Sequence, residues 1–222
     1  MEPAPLSAEI LEYLEDKTME ETVPGKGLDY LDSSDSLDAL RTFIGECRRC
    51  KLHNGRTRLV FGEGSPRARL VFVGEGPGED EDLAGKPFVG KAGKKLTQII
   101  ENGMGLPRDE VYICNVVKCR PPKNRDPEED EIAACIPFLK KQLELIRPEV
   151  ICLLGRVAGN ALLGDDFAIT RGRGKWRSFL NIPLMPTYHP AYILRNPSAR
   201  RPVWEDIKEI MNRLGLEVKK NG

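Results

Sequence analysis

Four short apolar runs constrain this chain more than any other feature: residues 69–74 (RLVFVG), 111–117 (VYICNVV), 149–154 (EVICLL) and 182–187 (IPLMPT). Each is apolar at consecutive positions, so each can bury both of its faces. Helical patterns lie between and after them, at about 90–103, 127–146, 156–163 and 199–214. A shorter one carries Leu37, Leu40 and Ile44 behind Ser36, a good N-cap residue. Strands buried on both faces and separated by helices form a parallel sheet with helices over both surfaces. The expectation is an α/β fold, a single domain in three layers, α/β/α. In such sheets ligands bind beyond the carboxyl ends of the strands, so the residues that follow each run are the first candidates for function.

The chain has 222 residues, enough for one sizeable core. No stretch approaches the roughly 18 unbroken apolar residues of a membrane span. The opening Met1-Glu2-Pro3-Ala4-Pro5 lacks the basic and apolar regions of a secretory signal, which points to an intracellular protein. A net charge of zero conceals an asymmetry. Residues 1–40 hold eleven acids against Lys17 and Lys26, whereas the rest hold 32 bases against 23 acids. A basic body suits a polyanion, because each phosphate contact releases counterions. Residues 1–36 read as an acidic, flexible extension with one short amphipathic pattern (Ile10, Leu11, Leu14), residues 37–216 as the folded domain, and 217–222 as a tail.

Six cysteines divide into two classes. Cys114 and Cys152 fall within apolar runs and read as core packing. Cys47-Arg-Arg-Cys50, Cys119 and Cys135 lie outside the runs, and a CxxC pair completed by two further thiols is the ligand set of a zinc ion or an iron–sulfur cluster. Arginine and lysine flank them (Arg48, Arg49, Lys118, Arg120, Lys123, Arg125), which suggests a metal group bracing a surface that meets nucleic acid. His53, beside the CxxC pair, reads as structural or as a weak phosphate contact.

The strand ends carry the remaining candidates. Gly74-Glu75-Gly76-Pro77-Gly78-Glu79-Asp80-Glu81-Asp82 follows the first run, and its carboxylates and Pro77 argue against a pyrophosphate-binding turn. Gly85-Lys86-Pro87-Phe88-Val89-Gly90 presents an aromatic on a glycine-bounded loop, either a core residue or a stacking platform. The second strand is read as ending at Asn115, within the second run, and this amide offers a donor and an acceptor to the edge of a pyrimidine. His189, in Tyr188-His189-Pro190-Ala191-Tyr192, follows the fourth run with Arg195, Arg200 and Arg201 nearby.

With these segments assembled, the chain resembles the family 4 uracil-DNA glycosylases, the iron–sulfur branch of their superfamily. The CxxC with Gly55-Arg56-Thr57-Arg58, then GEGPGEDED, GKPFVGKAG, VYICNVVKCRPP, Cys135 and YHPAYILRNP carry the resemblance over about residues 43–215. It implies a central four-stranded parallel sheet, a [4Fe–4S] cluster on Cys47, Cys50, Cys119 and Cys135, and removal of uracil from single- or double-stranded DNA. It also implies a monomer acting on cytoplasmic, nucleoid-associated prokaryotic DNA. Phe88 would stack on the extruded uracil, Asn115 would read its edge and reject cytosine, and His189 would bond to O2 as charge develops there. Glu75 and Gly76 would line the pocket and place the water, and Glu81 would shape the pocket near C5. DNA contacts fall to Lys118, Arg120, Leu194 and Arg195, with Ile193, Leu194 and Arg195 the choices for the side chain that fills the gap left by the flipped nucleotide. The aspartate that other branches use to activate water is missing from the first motif, so the base is left to Glu75 or dispensed with. No lysine is placed as a Schiff-base nucleophile, which implies a monofunctional enzyme. Two alternatives stay open: an inactive iron–sulfur DNA-binding module, and a relative that traps uracil-DNA through a histidine in a basic loop. Thr170-Arg171-Gly172-Arg173-Gly174 holds no histidine, against the second.

Overall fold

The computed structural model describes Leu31 and residues 34–217. The expected extension, with its Ile10, Leu11 and Leu14 pattern, and the tail beyond 217 lie outside the described residues. All four apolar runs are strands of one sheet: β2 (Leu70–Gly74), β3 (Tyr112–Asn115), β4 (Val150–Leu154) and β6 (Ile182–Thr187). They run parallel in the spatial order β3-β2-β4-β6. Two short antiparallel strands that the runs do not announce extend the edges, β1 (Glu63–Gly64) beside β3 and β5 (Arg177–Phe179) beside β6. The four-stranded parallel core is therefore the centre of a six-stranded sheet.

Alternate strand residues enter two separate cores, which is why the runs are apolar throughout. Val71, Val73, Cys114, Ile151, Leu153 and Leu184 face one helical layer, where they pack with Leu139, Leu143, Ala158 and Leu162. Leu70, Phe72, Ile113, Cys152, Leu154 and Met185 face the other, against Leu96, Ile100, Ile207, Ile210 and Met211. The first layer comprises α4 (Glu129–Ile146) and α5 (Arg156–Leu163). The second draws on α3 (Lys91–Gln98), prolonged by a π turn at Ile99–Met104, and on α8 (Arg200–Arg213). Near the described N-terminus α1 (Leu37–Ile44) is capped by Ser36, whose side chain accepts from the Ala39 amide at 3.2 Å. It packs Leu40, Phe43 and Ile44 with Phe61 and Phe138.

Three short helices have no periodic signal: α2 (Glu79–Ala84), α6 (Ile169–Gly172) and α7 (Pro190–Arg195). They are too short for an apolar stripe, and α2 opens on the acidic residues Glu79, Asp80, Glu81 and Asp82. From β2 the chain moves outward to β3, and from β4 it moves outward to β6 on the other side. The connections thus diverge between β2 and β4, which makes the carboxyl ends of these two strands the topological switch point where a crevice opens.

Candidate active site

Gly74 ends β2 directly opposite Asn115 in the parallel register. A Cβ on Gly74 would stand 2.5 Å from Asn115 Oδ1 and 2.6 Å from Phe88 Cζ, so the missing side chain is what lets these two groups meet beside the strand end. Asn115 is 1% exposed, and its Oδ1 has no hydrogen-bond partner. A buried amide oxygen without a partner costs about 1–3 kcal/mol, and it is free to accept from a donor outside the described residues.

Phe88 is fixed from two directions. Its backbone is in the left-handed region at φ 53°, which a bulky residue adopts only where surrounding contacts impose it. Glu81 accepts from the Val89 and Gly90 amides at 2.9 and 2.8 Å, and from the Gly78 amide at 3.1 Å. Arg108 donates to the carbonyls of Pro87 and Phe88 at 2.8 and 3.2 Å and to Thr97 Oγ1 at 2.8 Å. Gly93 of α3 completes the clamp, since a Cβ there would fall 1.9 Å from the Phe88 carbonyl oxygen. Both oxygens of Glu81 are thus engaged by backbone amides. Its position is that of a brace behind the Phe88 loop, a role no spacing in the chain announces.

His189 leaves β6 and lies with its ring centroid 5.6 Å from that of Phe88, tilted by 36°. Its Nδ1 accepts from the Ala191 amide at 3.2 Å. A backbone N–H only donates, so Nδ1 is the unprotonated nitrogen and the ring proton is on Nε2. Burial, assisted by the nearby positive charge of Arg195, pushes the His189 pKa down to about 4. The imidazole is therefore neutral at physiological pH and donates through Nε2. The strand end before it is anchored by Asp206 of α8, 2% exposed, which accepts from Thr187 Oγ1 at 2.6 Å and from Arg173 Nε at 2.9 Å. Sequence reading passed over Asp206, Arg173 and Arg108, whose roles depend on packing between segments far apart in the chain.

Glu75 is half-buried at the end of β2. Burial, reinforced by Asp126 and opposed by Arg156, pushes its carboxyl up to about 7. Gly76 lies against Val117 and Pro121, where a Cβ would meet Val117 Cγ2 at 2.7 Å.

Cys47, Cys50, Cys119 and Cys135 line one cavity, contributed by the loop after α1, the segment after β3, and α4. No three His, Cys, Asp or Glu side chains among the described residues close on a single ion, and the four thiols spread around a shared volume. Arg56 donates to Cys119 Sγ at 3.2 Å and to the Cys47 carbonyl at 2.6 Å. Arg49 reaches Cys47 Sγ at 3.4 Å while lying over the rings of Phe43 and Phe138. Burial pushes Cys50 up to about 11 and Cys135 up to about 12 as thiols, a cost that a bound metal reverses by stabilising the thiolates. Donor type, number and surrounding N–H groups all fit an iron–sulfur group. Cys114 and Cys152 are buried in β3 and β4, in keeping with core packing, and His53 Nδ1 lies 2.8 Å from the Cys50 carbonyl as a local brace.

Two expectations are corrected. Lys118 does not face DNA: it is 1% exposed, and its ammonium donates to the Asn115 carbonyl at 2.8 Å and to Gln142 Oε1 at 2.6 Å. Ile193 is 2% exposed in the second core, which withdraws it as a wedge; Leu194 is 49% exposed, and Arg195 is exposed beside it. Arg120 is partly engaged, donating to Asn124 Oδ1 at 2.8 Å with Glu79 at 3.5 Å.

The uracil DNA glycosylase superfamily model matches residues 61–208. The type-4 uracil-DNA glycosylase of Sulfurisphaera tokodaii is 50% identical over 184 residues, covering 79% of this chain and 84% of that protein. The type-4 enzyme of Thermotoga maritima is 49% identical over 170 residues, 75% of this chain and 88% of its own. A type-5 uracil-DNA glycosylase of Pyrobaculum aerophilum is 29% identical over 197 residues, 82% of this chain and 86% of its own. The site at the switch point and the cysteine-lined cavity thus stand in a chain that belongs to the uracil-DNA glycosylase superfamily, in its type-4 branch.

Proposed function

We propose that this protein turns uracil out of DNA and hydrolyses its N-glycosidic bond, leaving an abasic site for base excision repair. The observation that carries this reading is the buried, unpartnered Oδ1 of Asn115 beside the Phe88 ring. Uracil presents an N3–H donor next to the O4 acceptor, and the amide of Asn115 presents the matching acceptor and donor. Cytosine presents the reverse pair and would leave both partners unsatisfied. The base cannot be reached within a duplex, so it must be extruded, at a cost of roughly a few kcal/mol. The ring of Phe88 then receives its flat face.

Bond cleavage leaves positive charge on the sugar and negative charge on the departing uracil. Preorganised donors at the developing anion are the main catalytic tool, and the neutral Nε2–H of His189 is assigned to uracil O2. Glu81 and Arg108 act behind Phe88, holding its loop. Leu194, the more exposed of the two large apolar side chains that follow His189 at the surface, Tyr192 being the other, is assigned the gap in the base stack. Arg195 and the partly engaged Arg120 are assigned phosphate contacts.

The cysteine quartet is assigned a [4Fe–4S] cluster. When bound, it supplies iron–thiolate bonds that fasten the loop after α1, the segment after β3 and α4 to one another.

Incubation with a single-uracil oligonucleotide, followed by alkaline cleavage and a gel, tests the activity. Strand breaks at the uracil support it; an intact oligonucleotide removes it, and a persistent protein–DNA adduct would make the protein a covalent trap. A brown protein containing iron supports the cluster, whereas a colourless one with stoichiometric zinc overturns it.

Glu75 is assigned the polarisation of the attacking water, for which a pKa near the working pH is well suited. Its carboxyl is protonated below about 7 and ionised above, so single-turnover rates should rise with pH and level off beyond that value. Glu75→Gln should abolish this limb and slow excision by about 10²-fold. A Glu75→Gln profile that keeps the wild-type limb would assign the titration to another group.

A further inference from the structure

We propose that Lys118 is the countercharge of the cysteine-bound group and the link through which that group positions Asn115. Lys118 is among the largest fully buried side chains of the protein. The hydrogen bonds of its ammonium go to two neutral oxygens, the Asn115 carbonyl at 2.8 Å and Gln142 Oε1 at 2.6 Å. Gln142 is itself fixed, because its Nε2 donates to the Phe61 carbonyl and to the Tyr112 hydroxyl, each at 3.0 Å. The amide oxygen is thereby committed to Lys118. No carboxylate pairs with Lys118 in any ion pair among the described residues.

A buried ammonium without an anion is strongly unfavourable, and neutral acceptors repay only part of its lost hydration. The compensating charge is on hand. Lys118 lines the same cavity as Cys47, Cys50, Cys119 and Cys135 and immediately precedes Cys119 in the chain. Four thiolates outweigh the positive charge of an iron–sulfur core, so the assembled group is an anion. In a water-poor interior their attraction to one ammonium is strong. The same ammonium holds the carbonyl of the residue that reads the base. Charge at the cysteines therefore sets how firmly the end of β3 is held, and Lys118 acts as a positioning residue.

This inference rests on the proposed cluster, and the wild type separates the two ideas. A colourless, iron-free wild type would remove the cluster itself. With a brown wild type, the cluster-loaded Lys118→Met variant is compared for iron release to a chelator, cluster reduction potential and excision kinetics. Iron release should accelerate about tenfold or more, the scale of one lost charged interaction. The potential should move to a more negative value, because reduction adds negative charge that no cation then opposes. The kcat should fall by about tenfold with DNA affinity unchanged, since Asn115 keeps its side chain but loses its anchor. Wild-type chelation and potential in Lys118→Met would overturn the proposal. Should that variant fail to fold, Gln142→Glu gives up the donation to the Phe61 carbonyl, accepts instead from the Tyr112 hydroxyl, places a carboxylate against the ammonium and retains the bond to Asn115. It should shift the potential in the same direction with kcat at the wild-type level; an unchanged potential would overturn the proposal equally.

Discussion

Asn115→Ala is expected to lower uracil excision by about 10³-fold while leaving the affinity for uracil-containing DNA within a few fold. The substitution removes the acceptor for N3–H and the donor for O4, so an extruded uracil gives up its hydration without regaining hydrogen bonds. Phosphate contacts lie elsewhere and supply most of the affinity for DNA, which is why binding survives. Folding should also survive. The Asn115 carbonyl, not its side chain, accepts from Lys118, and Oδ1 satisfies no other group of the protein. The companion variant Asn115→Asp distinguishes reading from simple packing. A carboxylic acid in that buried position can donate to N3 of cytosine and accept from its exocyclic amine, so cytosine release should become measurable. Excision by Asn115→Ala at the wild-type rate would take this residue out of the pocket.

Gly74→Ala is expected to cost about 10²-fold or more in kcat and about 1–3 kcal/mol in stability, although it adds only one methyl group. That methyl would stand 2.5 Å from Asn115 Oδ1 and 2.6 Å from Phe88 Cζ, closer than such atoms approach. Phe88 cannot readily retreat, because Glu81, Arg108 and the close approach of Gly93 hold its loop. Asn115 cannot either, being paired through β3 and tied to Lys118. The strain therefore falls on the two groups that position uracil, and a misplacement of about 1 Å carries a rate penalty of this size. Thermal melting and excision assays on the same preparation check it. A fully active Gly74→Ala would mean that uracil does not occupy the space beside β2.

The layered fold was legible because its signal is local and repeated. Residues 69–74, 149–154 and 182–187 are apolar on both faces, and only strands between two helical layers bury both faces. The edges β1 and β5 were not legible. A pairing of two or three residues is decided by where a neighbouring strand already runs, as Glu63 and Gly64 show against Ile113 and Tyr112. Helix α2 was hidden because six residues carry no apolar stripe, and Glu81 in its first turn accepts both from the Gly78 amide at its N-cap and from the Phe88 loop.

In the site, residue type and position after the apolar runs marked Phe88, Asn115 and His189 only as candidates, and the motifs shared with the family gave each its expected role. The cysteine quartet was evident, since a CxxC pair with two further thiols outside the apolar runs is a common metal-ligand set. What the chain could not disclose by itself was the direction in which charged side chains point. Lys118 sits between Val117 and Cys119 in a basic segment and reads as a DNA contact, yet the packing of α4 against β3 brings Gln142 beside it and encloses it. The sequence alone determined the four parallel strands and the division of six cysteines into two core residues and four that line one cavity, each through a local pattern. Only the tertiary structure decided that Ile193 is core, that Glu81 and Arg108 brace Phe88, and that Lys118 lies between the cysteines and Asn115, because burial depends on segments distant in the chain.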